Sequence, residues 1–259
     1  MKVLAVGDIC SPDGCEFALQ TIPRIKREEN IDFTIVNGEN SAAGNGITPS
    51  SAETLFAAGA DVITGGNHTL RRSEFYDMLD TNPFVLRPHN LKETDIGSGY
   101  CLFDMGKHSA AVINLSGQIY LERVNADNPF KCVDELIEKA RCDGAKYIFV
   151  DFHAEATSEK RAMGFYLDGK VSAVFGTHTH VQTADAQILP QGTGYITDLG
   201  MTGVINSILG VKNEIIINRL KDNNMSRFEQ ASGGCMLNGC VFDIDDTTGL
   251  AKSVKLIKK

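Results

Sequence analysis

Apolar and polar positions along the first 80 residues alternate so that short buried runs fall between helical patterns. Lys2–Val6, Asp32–Val36 and Asp61–Thr64 are brief aliphatic or β-branched runs of strand length. Between them, Glu16–Glu29 places apolar residues at 17, 18, 19, 22 and 25, the spacing of one helix face. Ser51–Ala58 reads as a second helix, with Thr48 as N-cap and Pro49 in its first turn. Arg72–Leu79 reads as a third. This order predicts βαβ units and a largely parallel sheet.

The texture then changes. Gly99–Asp104 and Ser109–Leu115 flank Gly106-Lys107-His108 and predict an antiparallel hairpin. Cys132–Arg141 is amphipathic at helical spacing. It is followed by strand Tyr147–Phe152, helix Glu159–Phe165, strands Val171–Phe175 and Gly194–Thr197, and a last helix Asn213–Leu220. The terminal 30 residues predict a β meander turning at residues 245–249. No repeat, low-complexity linker or charge block interrupts the chain, so residues 1–259 are expected to form a single domain. Parallel and antiparallel strands together predict two sheets packed face to face with helices outside.

Composition narrows the function classes. A chain of 259 residues with 42% hydrophobic content can fill the core of an enzyme-sized α/β unit. The formal charge is −8, and the basic residues are dispersed apart from tail lysines 252, 255, 258 and 259. Duplex nucleic acid, which needs clustered cations against its phosphates, is therefore not an expected partner. A small anion in a cleft still is, because local charge can oppose the global sign. Seven cysteines, an odd number with no C-x-x-C pair, point to reduced thiols and a cytoplasmic location. The apolar stretch before Asp8 is too short for a signal-peptide core or a membrane span, so no membrane association is expected.

The candidate chemistry gathers where strands end: Gly7-Asp8, Gly38-Glu39-Asn40, Gly66-Asn67-His68, Asp151-Phe152-His153 and Thr177-His178-Thr179-His180. In such sheets the carboxyl ends of parallel strands share one edge, where ligands bind. Singly, each residue has a plainer reading: Asp8 as a helix cap, Asn40 and Asn67 as turn residues, His153 as an interior histidine. Jointly those readings weaken, because four of the six histidines would reach strand ends by accident. His89 and His108 are assigned structural or surface roles. Eight nitrogen and oxygen donors without a thiolate pair exceed what one tetrahedral zinc needs, and suit two five- or six-coordinate ions sharing a bridge, with Glu39 the natural bridge. In an extended segment His178 and His180 would point the same way, with Cα atoms about 6.6 Å apart, one for each ion. Two divalent ions less the charges of Asp8, Glu39 and a hydroxide leave a net attraction for phosphate.

These residues, in this order, resemble the calcineurin-like metallophosphoesterase superfamily. More closely, the segments VGD, NGEN-x-A, GNHT, DFHAEATSEK and GTHTHVQTAD resemble the bacterial YmdB family of 2′,3′-cyclic-nucleotide phosphodiesterases, across nearly the whole chain. The resemblance implies a four-layer αββα fold with mixed sheets. It implies Asp8, Asn40 and His180 on one ion, Asn67, His153 and His178 on the other, and Glu39 between them. Iron or manganese, as two divalent or mixed-valence ions, and a homo-oligomeric state are further implications. Cys10 departs from the wider superfamily, standing where a D-x-H motif has histidine, and is read as a buried bystander. Thr69 replaces an acid common elsewhere.

The expected activity is hydrolysis of a phosphodiester, a 2′,3′-cyclic nucleotide or related small diester, by a metal-bridging hydroxide. His68 is the expected general acid or transition-state stabiliser. The alternative is a regulatory protein that uses the same metal and nucleotide site mainly for binding. An amidohydrolase is disfavoured, since its H-x-H pair usually lies on the first strand of a barrel. Gly44-Asn45-Gly46 as a substrate wall, and Asp198 as a partner of a ligand histidine, stay open against ordinary loop and turn roles.

Overall fold

The computed structural model describes residues 1–92, 94–121, 124–222 and 227–259. The chain begins with β1 (Lys2–Val6), β2 (Asp8–Ile9), α1 (Ser11–Glu29), β3 (Phe33–Asn37), α2 (Pro49–Ala57), β4 (Val62–Thr64) and α3 (Tyr76–Thr81). There follow β5 (Tyr100–Asp104), β6 (Ser109–Ser116), α4 (Pro129–Cys142), β7 (Ala145–His153), α5 (Thr157–Tyr166) and β8 (Ala173–Thr177). The last part holds β9 (Gln187–Ile188), β10 (Gly194–Ile196), β11 (Met201–Val204), α6 (Asn213–Asp222), β12 (Cys235–Met236), β13 (Asn238–Ile244) and β14 (Ala251–Lys258).

Two sheets dominate: a five-stranded one in the order β14-β13-β1-β3-β4 and a six-stranded one in the order β5-β6-β7-β8-β10-β9. The chemistry-bearing strands β1, β3 and β4 are parallel to one another, as are β6, β7, β8 and β10. Period-2 alternation decides the packing. Val3 and Ala5 of β1 and Phe33 and Ile35 of β3 meet Ala110, Val112, Tyr147, Phe149 and Phe175 of the other sheet in one buried layer. The opposite faces of the same strands, Leu4, Val6 and Val36, pack on Ala18, Ile22 and Ile25 of α1 and Leu55 of α2. On the far side, Ile148, Val150 and Phe152 pack on Val133, Leu136 and Ile137 of α4 and Met163 of α5. The result is the four-layer αββα arrangement.

Most predicted elements sit within two or three residues of where they were expected, and the exceptions have local causes. α1 starts at Ser11 rather than Glu16, because Pro12 fits the first helical turn, where its missing N–H costs nothing. Arg72–Leu79 is a 3₁₀ turn at Ser73–Phe75 followed by the short α3. β8 starts two residues later than expected and runs on to Thr177, which pairs with His153 of β7. The short β2 and β11, which pair in parallel, lay outside the sequence reading. α6 forms as expected but buries none of its residues. Among the described residues, no helix is long and apolar enough to cross a membrane.

Phe149 has no solvent exposure, and its ring lies 6.1 Å from that of Phe33 across the two sheets. Phe149→Ala should cost about 3–5 kcal/mol of stability, read by denaturant unfolding. Leu220→Ala, at an exposed position of α6, should stay within about 0.5 kcal/mol. Equal losses at the two positions would contradict this assignment of the core.

Candidate metal centre

The strand ends named from the sequence meet at one edge of the two sheets. All eight candidate residues are joined by contacts. Asp8 Oδ2 accepts the backbone N–H of His178 at 3.1 Å, and Asp8 Oδ1 faces His180 Nε2 at 3.5 Å. Asn40 Nδ2 lies 3.3 Å from the same His180 nitrogen and donates to Glu39 Oε1 at 3.0 Å. On the other side, His153 Nε2 lies 2.9 Å from Asn67 Oδ1, 3.1 Å from His178 Nδ1 and 3.4 Å from Glu39 Oε1. Glu39 therefore stands between an Asp8-Asn40-His180 group and an Asn67-His153-His178 group. His68 caps the carboxylate: its backbone N–H donates to Glu39 Oε2 at 2.9 Å, and its Nδ1 lies 3.1 Å from Glu39 Oε1 and 3.0 Å from Asn40 Oδ1. His89 and His108 lie outside the cluster: His89 is exposed, and His108 Nε2 sits 3.1 Å from Lys146 Nζ.

Local sequence explains the approach. Gly66 lies where a Cβ would fall 2.2 Å from Glu39 Oε2 and 2.3 Å from the His153 ring, so any side chain there would part the two. Thr69 closes that turn, its hydroxyl accepting from Gly66 N at 2.8 Å and donating to Gly66 O at 2.9 Å. The segment after β8 is not extended, contrary to the expectation that His178 and His180 point the same way from an extended segment. Both histidines take left-handed backbone angles, φ +97° and +64°. The side chains consequently part, His178 toward His153 and Glu155, and His180 toward Asp8 and Asn40.

The donor set suits cations. Asp8 and Glu39 have no solvent exposure, and Asp8 Oδ1 has no hydrogen-bond partner among the described residues. Around His153 Nε2, an amide oxygen, an imidazole nitrogen and a carboxylate oxygen converge, yet that nitrogen carries at most one proton to share among them. Glu39, His153 and His178 offer atoms within 4.8 Å of one another, a spacing that one ion could occupy. Burial would raise both carboxyls, but His180 and His153 hold Asp8 below the usual range, and His153 and His68 hold Glu39 well below it. Burial also opposes charge on His153 and His180. Even so, Glu39 raises the former, and Cys10 and Asp8 raise the latter well above an ordinary imidazole. Burial and the neighbouring His153 push His178 down to about 3. Two buried anions thus demand positive charge, which the protein alone can meet only by protonating imidazoles. Ligation by Asn40 Oδ1 would require its amide to turn over, an exchange of O and N with little other movement.

Several supporting residues escaped the sequence reading. His153 Nδ1 lies 2.9 Å from Thr177 Oγ1, which donates to Asp151 Oδ1 at 2.7 Å, so the ring is oriented by a hydroxyl and a carboxylate behind it. Burial pushes Asp151 up to about 6, against hydrogen bonds from Thr64, Thr177 and Asn37. Glu155 Oε2 meets His178 Nε2 at 3.0 Å. Asp198 touches no histidine. It accepts the N–H and the hydroxyl of Thr179 at 3.1 and 2.7 Å, and pairs with buried Lys160 at 2.6 Å. Lys160 also donates to Thr177 O at 2.7 Å, so this ion pair shapes the loop bearing both histidines. The signal available in sequence was an Asp, a Glu and a Lys within DFHAEATSEK, close behind an apolar strand. The 44–46 turn is closed by Ala42 N–H to Gly46 O and by Arg72 to Asn45 O, both 2.9 Å, an ordinary braced loop.

Lys160→Met would leave Asp198 charged and buried without its cation, and should cost about 3–5 kcal/mol in urea unfolding. Adding Asp198→Asn should recover part of that loss. A single variant within 1 kcal/mol of the parent would rule out the bracing role.

The chain is similar to several known proteins. A 2′,3′-cyclic-nucleotide 2′-phosphodiesterase of Bacillus subtilis is 47% identical over 257 residues, 99% of this chain and 96% of that one. A putative phosphatase/phosphodiesterase of Mycoplasma pneumoniae is 36% identical, covering 96% of this chain and 89% of that one. Among solved structures, a Mycoplasma pneumoniae protein described as a novel phosphatase superposes with TM-score 0.94 at 34% identity, over 100% of this chain and 93% of that one. A hypothetical protein of Thermus thermophilus gives 0.92 at 36%, over 100% and 99%. A putative 5′-nucleotidase of Staphylococcus aureus, at 16% identity and TM-score 0.61, covering 99% of this chain and 54% of that one, shares the fold. The sequence model of the YmdB-like proteins matches residues 4–257, and the chain belongs to that family.

Proposed function

We propose that the protein is a metal-dependent phosphodiesterase acting on 2′,3′-cyclic nucleotides or related small diesters, with Asp8, Asn40 and His180 holding one cation, Asn67, His153 and His178 a second, and Glu39 shared. The observation that carries this reading is the position of Glu39, buried and in contact with both histidine-containing groups. The name of the Bacillus subtilis relative supports the substrate class. Iron or manganese suits the mixed nitrogen and oxygen donors. Bound there, two such ions would neutralise phosphate charge and lower the pKa of a water held between them.

The chain's own contribution centres on His68. Glu39 Oε1 lies 3.1 Å from its Nδ1 and accepts the proton held there, and the side chain is 27% exposed. With Nδ1 held on the Glu39 side, His68 would give a proton from Nε2 to the departing alkoxide oxygen. Asp151 and Thr177 keep the His153 ring from rotating. The seven cysteines, all free, fit work in the cytoplasm.

Chelation should abolish turnover of 2′,3′-cyclic nucleotides, and manganese, or iron supplied anaerobically, should restore it, with diesters preferred over matched monoesters. Activity that survives complete metal removal would refute the proposal. His68→Ala should lower kcat by about 10²–10⁴ with unchanged metal content by elemental analysis. Full activity in that variant would remove the proton-donor role.

A further inference from the structure

Cys10 occupies a position its burial alone does not explain. It follows β2, is 4% exposed, and forms a bridge with Asn40 beside the cluster. Its Sγ lies 3.6 Å from the carbonyl oxygen of Asp8 and 3.5 Å from His180 Nδ1. A thiol has one proton to donate and sulfur lone pairs to accept. A carbonyl only accepts, so the S–H is directed to Asp8 O, and the sulfur is left to accept from His180 Nδ1–H. Once the ring gives up its second proton, as a ligand must, the proton kept on Nδ1 leaves the lone pair on Nε2, the atom facing Asp8 Oδ1 at 3.5 Å and the Asn40 amide at 3.3 Å.

We infer that Cys10 is a positioning residue for His180: its sulfur accepts the Nδ1 proton and so presents Nε2 to the Asp8-Asn40 side as a ligand. The sulfur itself is no ligand, because it lies at the opposite edge of the imidazole. A histidine's second nitrogen is ordinarily held by a carboxylate, a carbonyl or water, and here a thiol takes that place. The surroundings fit a small residue. A Cβ on Gly203 would come 3.1 Å from Cys10 Cβ, and one on Gly210 would come 3.5 Å from it, so two glycines leave room beside the Cys10 side chain.

The inference rests on the two-cation reading, and its test separates the two. Metal-free wild type, Cys10→Ala and Cys10→Ser are titrated with manganese alone by calorimetry, and the His180 tautomer is read from imidazole ¹⁵N shifts of the metal-free proteins at a pH high enough for the ring to be neutral. Wild type should bind two manganese ions. Cys10→Ala should bind one of them about 10–100-fold more weakly with the other unchanged, and Cys10→Ser, whose hydroxyl also accepts, should recover most of the loss. The Nδ1–H form of His180 should dominate in wild type and Cys10→Ser and give way to a mixture in Cys10→Ala. Unchanged affinities in Cys10→Ala, or a dominant Nε2–H form in wild type, would overturn the inference. If wild type fails to bind two ions while its Nδ1–H form still depends on Cys10, the two-cation reading falls and the positioning contact stands.

Discussion

Two carboxylates without solvent contact, Asp8 and Glu39, are the constraint around which the rest of the edge is organised. Removing such groups from water costs several kcal/mol each, even after relaxation. The fold offsets this with contacts only a backbone turn can deliver: the N–H of His178 on Asp8, and the N–H of His68 on Glu39. His153 of β7 and His180 after β8 supply the opposing charge. The approach of Glu39 and His153 depends on glycine after β4, because a Cβ at Gly66 would occupy the place of the carboxylate and the imidazole together.

A second layer of polar groups holds the first. Lys160 and Asp198, both buried, share Thr177 O and the Thr179 backbone between them. Two neighbouring histidines are thereby kept in left-handed conformations that such residues seldom adopt unaided. On the next strand, Asp151 acts through Thr177 on His153. The nitrogen atoms at the cluster are therefore aimed by groups that never enter it, which is how a loop can present side chains as reproducibly as a strand.

How much of this was legible follows from the physics of each signal. The two sheets and their helices were readable because alternation of period 2 and caps such as Thr48 are local properties of sequence. The converging residues were readable because polar side chains after apolar strands must leave the core at the same edge. The first turn of α1 was hidden by residues that look like a loop, and β2 and β11 were too short to show any period. The bend at His178 and His180 has no sequence signature, since it is imposed by Lys160 and Asp198 from elsewhere in the chain. Thr177 and Asp151 were overlooked for a related reason: each acts on another side chain, and a single sequence does not display pairs.

The two halves of the cluster each draw on both sheets. Asp8, Glu39, Asn40 and Asn67 follow strands β1, β3 and β4, whereas His153, His178 and His180 come from the ends of β7 and β8. Beyond the hydrogen bonds that Asn37 and Thr64 make to Asp151 behind the cluster, the described common face of the sheets is largely apolar, which resists separation but tolerates slippage. A ligand that bridges these residues is therefore also a rivet at one end of the seam, and shearing one sheet past the other would have to dismantle it. Occupancy of this edge and cohesion of the whole sandwich are two faces of one equilibrium.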